Sequence, residues 1–295
     1  MHFQIVDTEA AYRRMLVAPD PASRSAIFRE ELAAPFAGLA RVFGSDDVVA
    51  AFANWGMMPE TFAPECQAEM TAVLDALAFA DAWNRAARAL ERGRDAFTRY
   101  SERIPLESIV FGLYLADMRG VPGQRGYTGF GGIPGWIMTV YGEPDADNLA
   151  RVEAATVHEL HHNVMGAVFP SNPLMGSVGA YMIGEGLAES FAAELYGEDL
   201  IGPWVTEFDD SRLDEARQLL GGALEKTGFD VVRSYIFGDE MNAYQGREAV
   251  GVPAFAGYAI GYKVLQAYLR RSGQSVAEAT FVPARQIIAE SRFFV

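Results

Sequence analysis

The chain has 295 residues, enough to bury a substantial core, with 50% hydrophobic and 21% charged residues, as in a globular protein. Its formal net charge of −15 works against non-specific nucleic-acid binding and against anionic lipid surfaces, both of which need Lys and Arg. A single cysteine, Cys66, excludes an intramolecular disulfide and a thiolate-built structural zinc site. The N-terminus lacks a basic start followed by an apolar run, and no apolar stretch is long enough to cross a bilayer, so a cytoplasmic setting without a membrane partner is expected.

Residues 2–6 read as a short strand. From Thr8 to Gly44 the pattern is helical, broken at Pro19-Asp20-Pro21, with Ile27, Leu32, Phe36, Leu39 and Phe43 tracing an apolar face. Gly56 and Pro59 punctuate the next stretch, and an Ala-rich helical run follows from Pro64 to Tyr100, with Gly93 as a possible interruption. Ser108–Leu115 reads as a buried strand. The seven glycines and two prolines of 120–135 predict a folded loop, and 135–141 a second strand. A helix is expected from Asp147-Asn148, plausible caps, to Val168, ahead of Pro170. A loop with Pro170, Pro173 and Gly176 leads to another helix over 178–196. Residues 209–222, 228–236 and 254–271 read as helical, 240–253 as a loop, and 281–295 as a short helix with an apolar end. The expected class is α+β, mainly helical, in three regions: an N-terminal helical region (1–103), a core (104–205) and a C-terminal helical region (206–295).

The chemistry concentrates in Thr156–His162. Three of the four histidines lie there, and His158-Glu159-Leu160-His161-His162 contains H-E-x-x-H. A spacing of four puts His158 and His162 on one helix face, where both can reach one zinc ion at roughly 2.0–2.1 Å. Glu159 then faces the open side of the metal, where a carboxylate can take a proton from bound water. His161 is one position off that face and is expected to be solvent-facing or to support the site. A catalytic zinc needs a third protein ligand, and with no cysteine nearby a carboxylate is expected. Ile183–Ser190 offers two, Glu185 and Glu189, on one face of the following helix.

H-E-x-x-H followed on the next helix by E-G-x-A-E is similar to the gluzincin group of metallopeptidases. The doubled histidine, the E-G-L-A-E stretch and a later G-Y-x-x-G-Y segment (Gly257-Tyr258-Ala-Ile-Gly261-Tyr262) further resemble a bacterial family of predicted Zn-dependent proteases, over roughly residues 105–295. The resemblance implies a zincin-like catalytic core with a small sheet beside the motif helix. It implies one zinc per chain held by His158, His162 and Glu185, and Glu189 hydrogen-bonded to a ligand imidazole. It also implies an edge strand that pairs with an extended peptide or protein substrate, for which 135–141 is the candidate. Glu159 would act as general base and then protonate the leaving amine. In gluzincins a downstream tyrosine or histidine stabilises the oxyanion. No histidine follows His162, which leaves Tyr258, Tyr262 and the earlier Tyr244, with Tyr258 favoured.

The leading reading is therefore a zinc-dependent peptidase. Two alternatives keep the metal: a regulatory or chaperone-like binding protein on a peptidase scaffold, and a hydrolase of non-peptide amides. Glu159 favours catalysis over pure binding. Bond specificity, endo- or exopeptidase action and oligomeric state are left open.

Overall fold

The computed structural model describes residues 1–42, 44, 46–53, 55–119, 121, 125–170 and 176–295. Phe43 and Pro173, assigned above to an apolar face and a loop, lie outside them. Helices dominate, around one four-stranded mixed sheet of order β1-β2-β4-β3, where β1 is His2–Ile5, β2 Ser108–Leu115, β3 Tyr127–Phe130 and β4 Trp136–Tyr141. β1 and β4 pair parallel to β2, and β3 pairs antiparallel to β4. The chain is thus α+β and mainly helical.

Two expectations about the sheet need correction. The glycine-rich stretch is not all loop, because it contains β3. The strand over 135–141 is not an edge: β4 sits inside the sheet and β3 occupies that edge. Glycine density hid the strand, since β propensity counts glycine against a strand while close packing against a neighbour can require it.

The Ala-rich run is likewise not one helix. It breaks at Ala80-Asp81, where Asp81 takes a left-handed backbone (φ 54°), between helices Gln67–Phe79 and Ala82–Ala96. The second of these, α1, runs through Gly93, which is buried against Leu160 of the motif helix rather than interrupting anything. Arg85 of α1 clamps Glu153 with both ends of its guanidinium, one contact at 2.8 Å, and fixes α1 along the motif helix.

That motif helix, α2, spans Val152–Val168. A short turn of helix, Ala146–Ala150, precedes it, capped by Asp145, whose side chain accepts from the Asn148 amide at 2.8 Å. The next helix, α3 (Val178–Tyr196), starts at Ser177, which caps the Ala180 amide. Two further helices close over α3: α4 (Phe229–Phe237) and α5 (Ala256–Ser272). The expected loop over 240–253 also carries a short helix, Asp239–Tyr244.

The crossing of α3 and α5 explains the glycines of two motifs at once. A Cβ on Gly186 would stand 2.2 Å from the Gly261 carbonyl oxygen, and one on Gly261 would stand 2.2 Å from that of Met182. E-G-L-A-E and G-Y-x-x-G-Y are two sides of one backbone contact.

Candidate metal centre

His158 and His162 project from one face of α2 toward Glu185 on α3. His158 Nε2 lies 3.0 Å from His162 Nε2 and 3.3 Å from Glu185 Oε2, and His162 Nε2 lies 3.2 Å from that same oxygen. A tetrahedral ion with ligands at roughly 2.0–2.1 Å separates neighbouring donor atoms by about 3.3 Å. The three donors therefore stand where one zinc-sized cation needs them, and among the described residues they are the one such group. Two imidazole nitrogens and a carboxylate suit zinc, with a fourth position open.

The electrostatics agree with the geometry. Burial would lower the His158 imidazolium, but the carboxylates of Glu189, Glu185 and Glu159 outweigh it and lift it to about 9. Burial works to raise Glu185, yet the two imidazoles prevail and bring it down to about 2. The pocket is built to hold positive charge. Glu159 is 8% exposed, and burial raises its carboxyl above the ordinary range, the direction a general base needs.

Glu189 is buried and fully engaged. It accepts from the Trp204 indole N–H at 2.8 Å and the Gly202 amide at 3.0 Å, and its Oε1 stands 3.4 Å from His158 Nδ1. A carboxylate there favours a proton on Nδ1 and turns Nε2 toward the other two donors. His161 is neither solvent-facing nor at the centre. It is fully buried between Phe97 and Phe191, turned off the face that carries His158 and His162, and Nε2 meets Thr280 Oγ1 at 2.9 Å. Burial pushes its protonation well below the ordinary histidine range, so it is a neutral core residue.

The tyrosines separate. Tyr258 lines the cleft beside His158, Glu159 and Glu189, and burial holds its phenol well above its ordinary range, a neutral donor. Tyr262 points away: its hydroxyl donates to Glu198 at 3.1 Å. Tyr244 is exposed and is not among the residues lining the cleft. Sequence reasoning missed Tyr181. It lies one turn before Glu185 on α3, and its half-buried phenol is raised by burial and by the fields of Glu185 and Glu159. Its i−4 relation to Glu185 was the available signal.

Also missed was Asn163, next to the second ligand. Its Nδ2 lies within 3.0 Å of the carbonyls of Gly131, Ile133 and Trp136, and its Oδ1 accepts from the Gly135 amide at 2.7 Å. One buried side chain thus fastens the β3–β4 connection to the motif helix. The contact is close: a Cβ on Gly129 would fall 2.2 Å from Glu159 Oε1, and one on Gly131 would fall 2.0 Å from the Glu159 carbonyl oxygen. Only glycine lets this strand lie against the carboxylate.

The cleft encloses about 610 Å³ including its open mouth. Thr128 and Gly129 of β3 form one side, and a cluster of aromatic rings forms the other. Trp204 stacks on Phe255 at 5.8 Å and meets Tyr258 at 5.5 Å, while Phe237 packs on Phe255 at 5.8 Å. Phe255 has a left-handed backbone (φ 53°) immediately before α5, strain of order 1 kcal/mol that aims its ring into this wall.

Comparison with known proteins agrees with this centre. Residues 82–289 match the family described as "Predicted Zn-dependent protease (DUF2268)". The chain belongs to that family. It is also 42% identical over 192 residues, 65% of its length, to the uncharacterized protein YjfC of Bacillus subtilis (strain 168). The chain spans 64% of that relative's length, less than two thirds. No solved structure matches it. The family match includes α1 and every residue of the centre described above.

Proposed function

We propose that the chain is a single-zinc metallopeptidase of the gluzincin type, with a zincin-like core formed by β2–β4, α2 and α3. The observation that carries this reading is the convergence of His158, His162 and Glu185 at metal-ligand separations with Glu159 beside them. A zinc ion held by these three would polarise a peptide carbonyl and acidify a water. Glu159, with its raised carboxyl, takes the proton of the attacking water and returns it to the departing amine. Tyr258 donates its hydrogen bond to the developing oxyanion, a role its neutral phenol and its place in the cleft support. The outer edge of β3, not β4, receives the main chain of an extended substrate, because β3 is the edge strand lying against Glu159.

Metal analysis and peptide digestion test the reading together. Wild type is expected to hold one zinc per chain and to cleave peptides, with cleavage stopped by a chelator. Glu185→Ala is expected to lose the zinc. Glu159→Gln should keep it and lose at least about a hundredfold in turnover. Unchanged turnover in Glu159→Gln would sink the general-base assignment, and full zinc in Glu185→Ala would remove Glu185 from the centre.

A further inference from the structure

One cation beside the cleft has no task in this chemistry. Phe229, Arg233 and Phe237 lie four apart on one face of α4, and the Arg233 guanidinium sits over both rings, 5.1 Å from the centre of Phe229 and 4.8 Å from that of Phe237. Stacking uses the flat face of a guanidinium and leaves the N–H groups of its rim free. Among the described residues Arg233 donates to no acceptor and pairs with no carboxylate, and the residues outside that description include no Asp or Glu. Asp230, three residues earlier on the helix, is taken by Arg247 at 3.0 Å. Arg233 thus presents an unclaimed guanidinium against Phe237, a ring that lines the cleft.

Its position links it to the centre. Phe237, on which it rests, lines the cleft and packs 6.0 Å from Tyr258 and 6.4 Å from Tyr181. The positive field of Arg233 reaches the Tyr181 phenol, which also feels Glu185 and Glu159. An extended substrate advances roughly 3.3–3.6 Å per residue, so the group that meets this rim would belong to a residue near the bond held at the centre, not to the bond itself. Glu159 and Glu189, the carboxylates that line the cleft, disfavour an anionic group beside them, whereas the Arg233 guanidinium attracts one.

We propose that Arg233 is a specificity residue of the cleft, one that binds a carboxylate of the substrate through the free N–H fork it presents between Phe229 and Phe237. The carboxylate is either the C-terminus of a peptide or the side chain of an Asp or Glu near the scissile bond. This rests on the peptidase reading above, and it decides whether that activity trims chain ends or cuts beside acidic residues.

The test uses zinc-loaded Glu159→Gln protein, in which cleavage is silenced and binding can be read. Three fluorescent tetrapeptides of one neutral sequence are titrated by anisotropy: one with a free C-terminus, one with a C-terminal amide, and one amidated with a single Glu. At least one carboxylate peptide should bind about tenfold more tightly than the neutral amide, and whichever does identifies the source. That advantage should vanish in Arg233→Gln and in Arg233→Met, which keeps an apolar stem against the two rings, while the affinity for the neutral amide stays the same. Equal affinity for all three peptides, no binding of any, or an advantage that survives both substitutions overturns the proposal and leaves Arg233 a packing residue. Failure of the peptidase reading would show separately, as wild-type protein that binds the neutral peptide without cutting it.

Discussion

At the scale of single residues, a proton and a cation would compete for the same nitrogens. The carboxylates around His158 lift its imidazolium to about 9, so at neutral pH an incoming cation would have to displace a proton. The sign is fixed by that shift. As pH falls below about 9 the imidazolium gains population and zinc affinity drops; as pH rises through that value the competition disappears. Calorimetry at pH 7 in buffers of different ionisation enthalpy should report proton release on zinc binding, and a buffer-independent heat would contradict it. Glu189 acts on the same histidine from behind. Glu189→Gln keeps the shape and removes the charge, so zinc affinity is expected to fall about 10–100-fold with the fold intact. An unaltered dissociation constant from a competition titration would make Glu189 a support of Trp204 and Gly202 only.

At the scale of elements, the close seat of β3 on α2 is what sets the edge strand of the sheet beside the Glu159 carboxylate. Asn163 holds that seat through four backbone groups of the β3–β4 connection, bonded by one buried side chain. Asn163→Ala is expected to cost roughly 2–4 kcal/mol in denaturant unfolding, and Asn163→Asp, which turns a donor toward three carbonyls into a charge, at least as much. A change below about 0.5 kcal/mol would mean the loop is held elsewhere. The trio His158, His162 and Glu185 was legible in the sequence because its spacing is local: four residues along one helix, and a carboxylate in a motif on the next. The helices over 178–196 and 256–272 were legible for the same reason, as long segments with clear ends. The motif helix, expected from Asp147-Asn148, starts only at Val152, because a separate turn capped by Asp145 precedes it. β3 was not legible, because its glycines answer to Glu159, a residue about thirty positions away, rather than to strand propensity. The sequence favoured Tyr258 over Tyr262 but held no physical ground for dividing them. Both sit in one repeat-like segment at i and i+4, and only the packing of α5 on α3 turns one toward the cleft and the other toward Glu198.

At the scale of the whole molecule, the family match begins at residue 82, yet the segment before it is tied into the sheet. β1 pairs with β2, Thr8 bonds to the Leu113 carbonyl and to the Trp83 indole at 2.8 Å, and the Tyr12 hydroxyl accepts from the Leu115 amide at 3.0 Å. Phe3, Tyr12, Met15 and Leu32 belong to the same continuous core as Leu160 of α2 and Ile260 of α5. Removing residues 1–81 would uncover the β2 edge and a large apolar face, so the remainder is expected to aggregate or lose cooperative unfolding. A soluble, cooperatively melting fragment 82–295 would show that the core closes without them. No helix among the described residues is long and apolar enough to cross a membrane.

On this reading, two imidazoles from α2 and one carboxylate from α3 share a single cation. Anomalous diffraction at the zinc absorption edge from crystals of the zinc-loaded protein tests it most directly. The expected map has one strong peak per chain, about 2.0–2.2 Å from His158 Nε2, His162 Nε2 and a Glu185 oxygen, with Glu159 beside it. A map with no peak there, or with its peak on other residues, would contradict it.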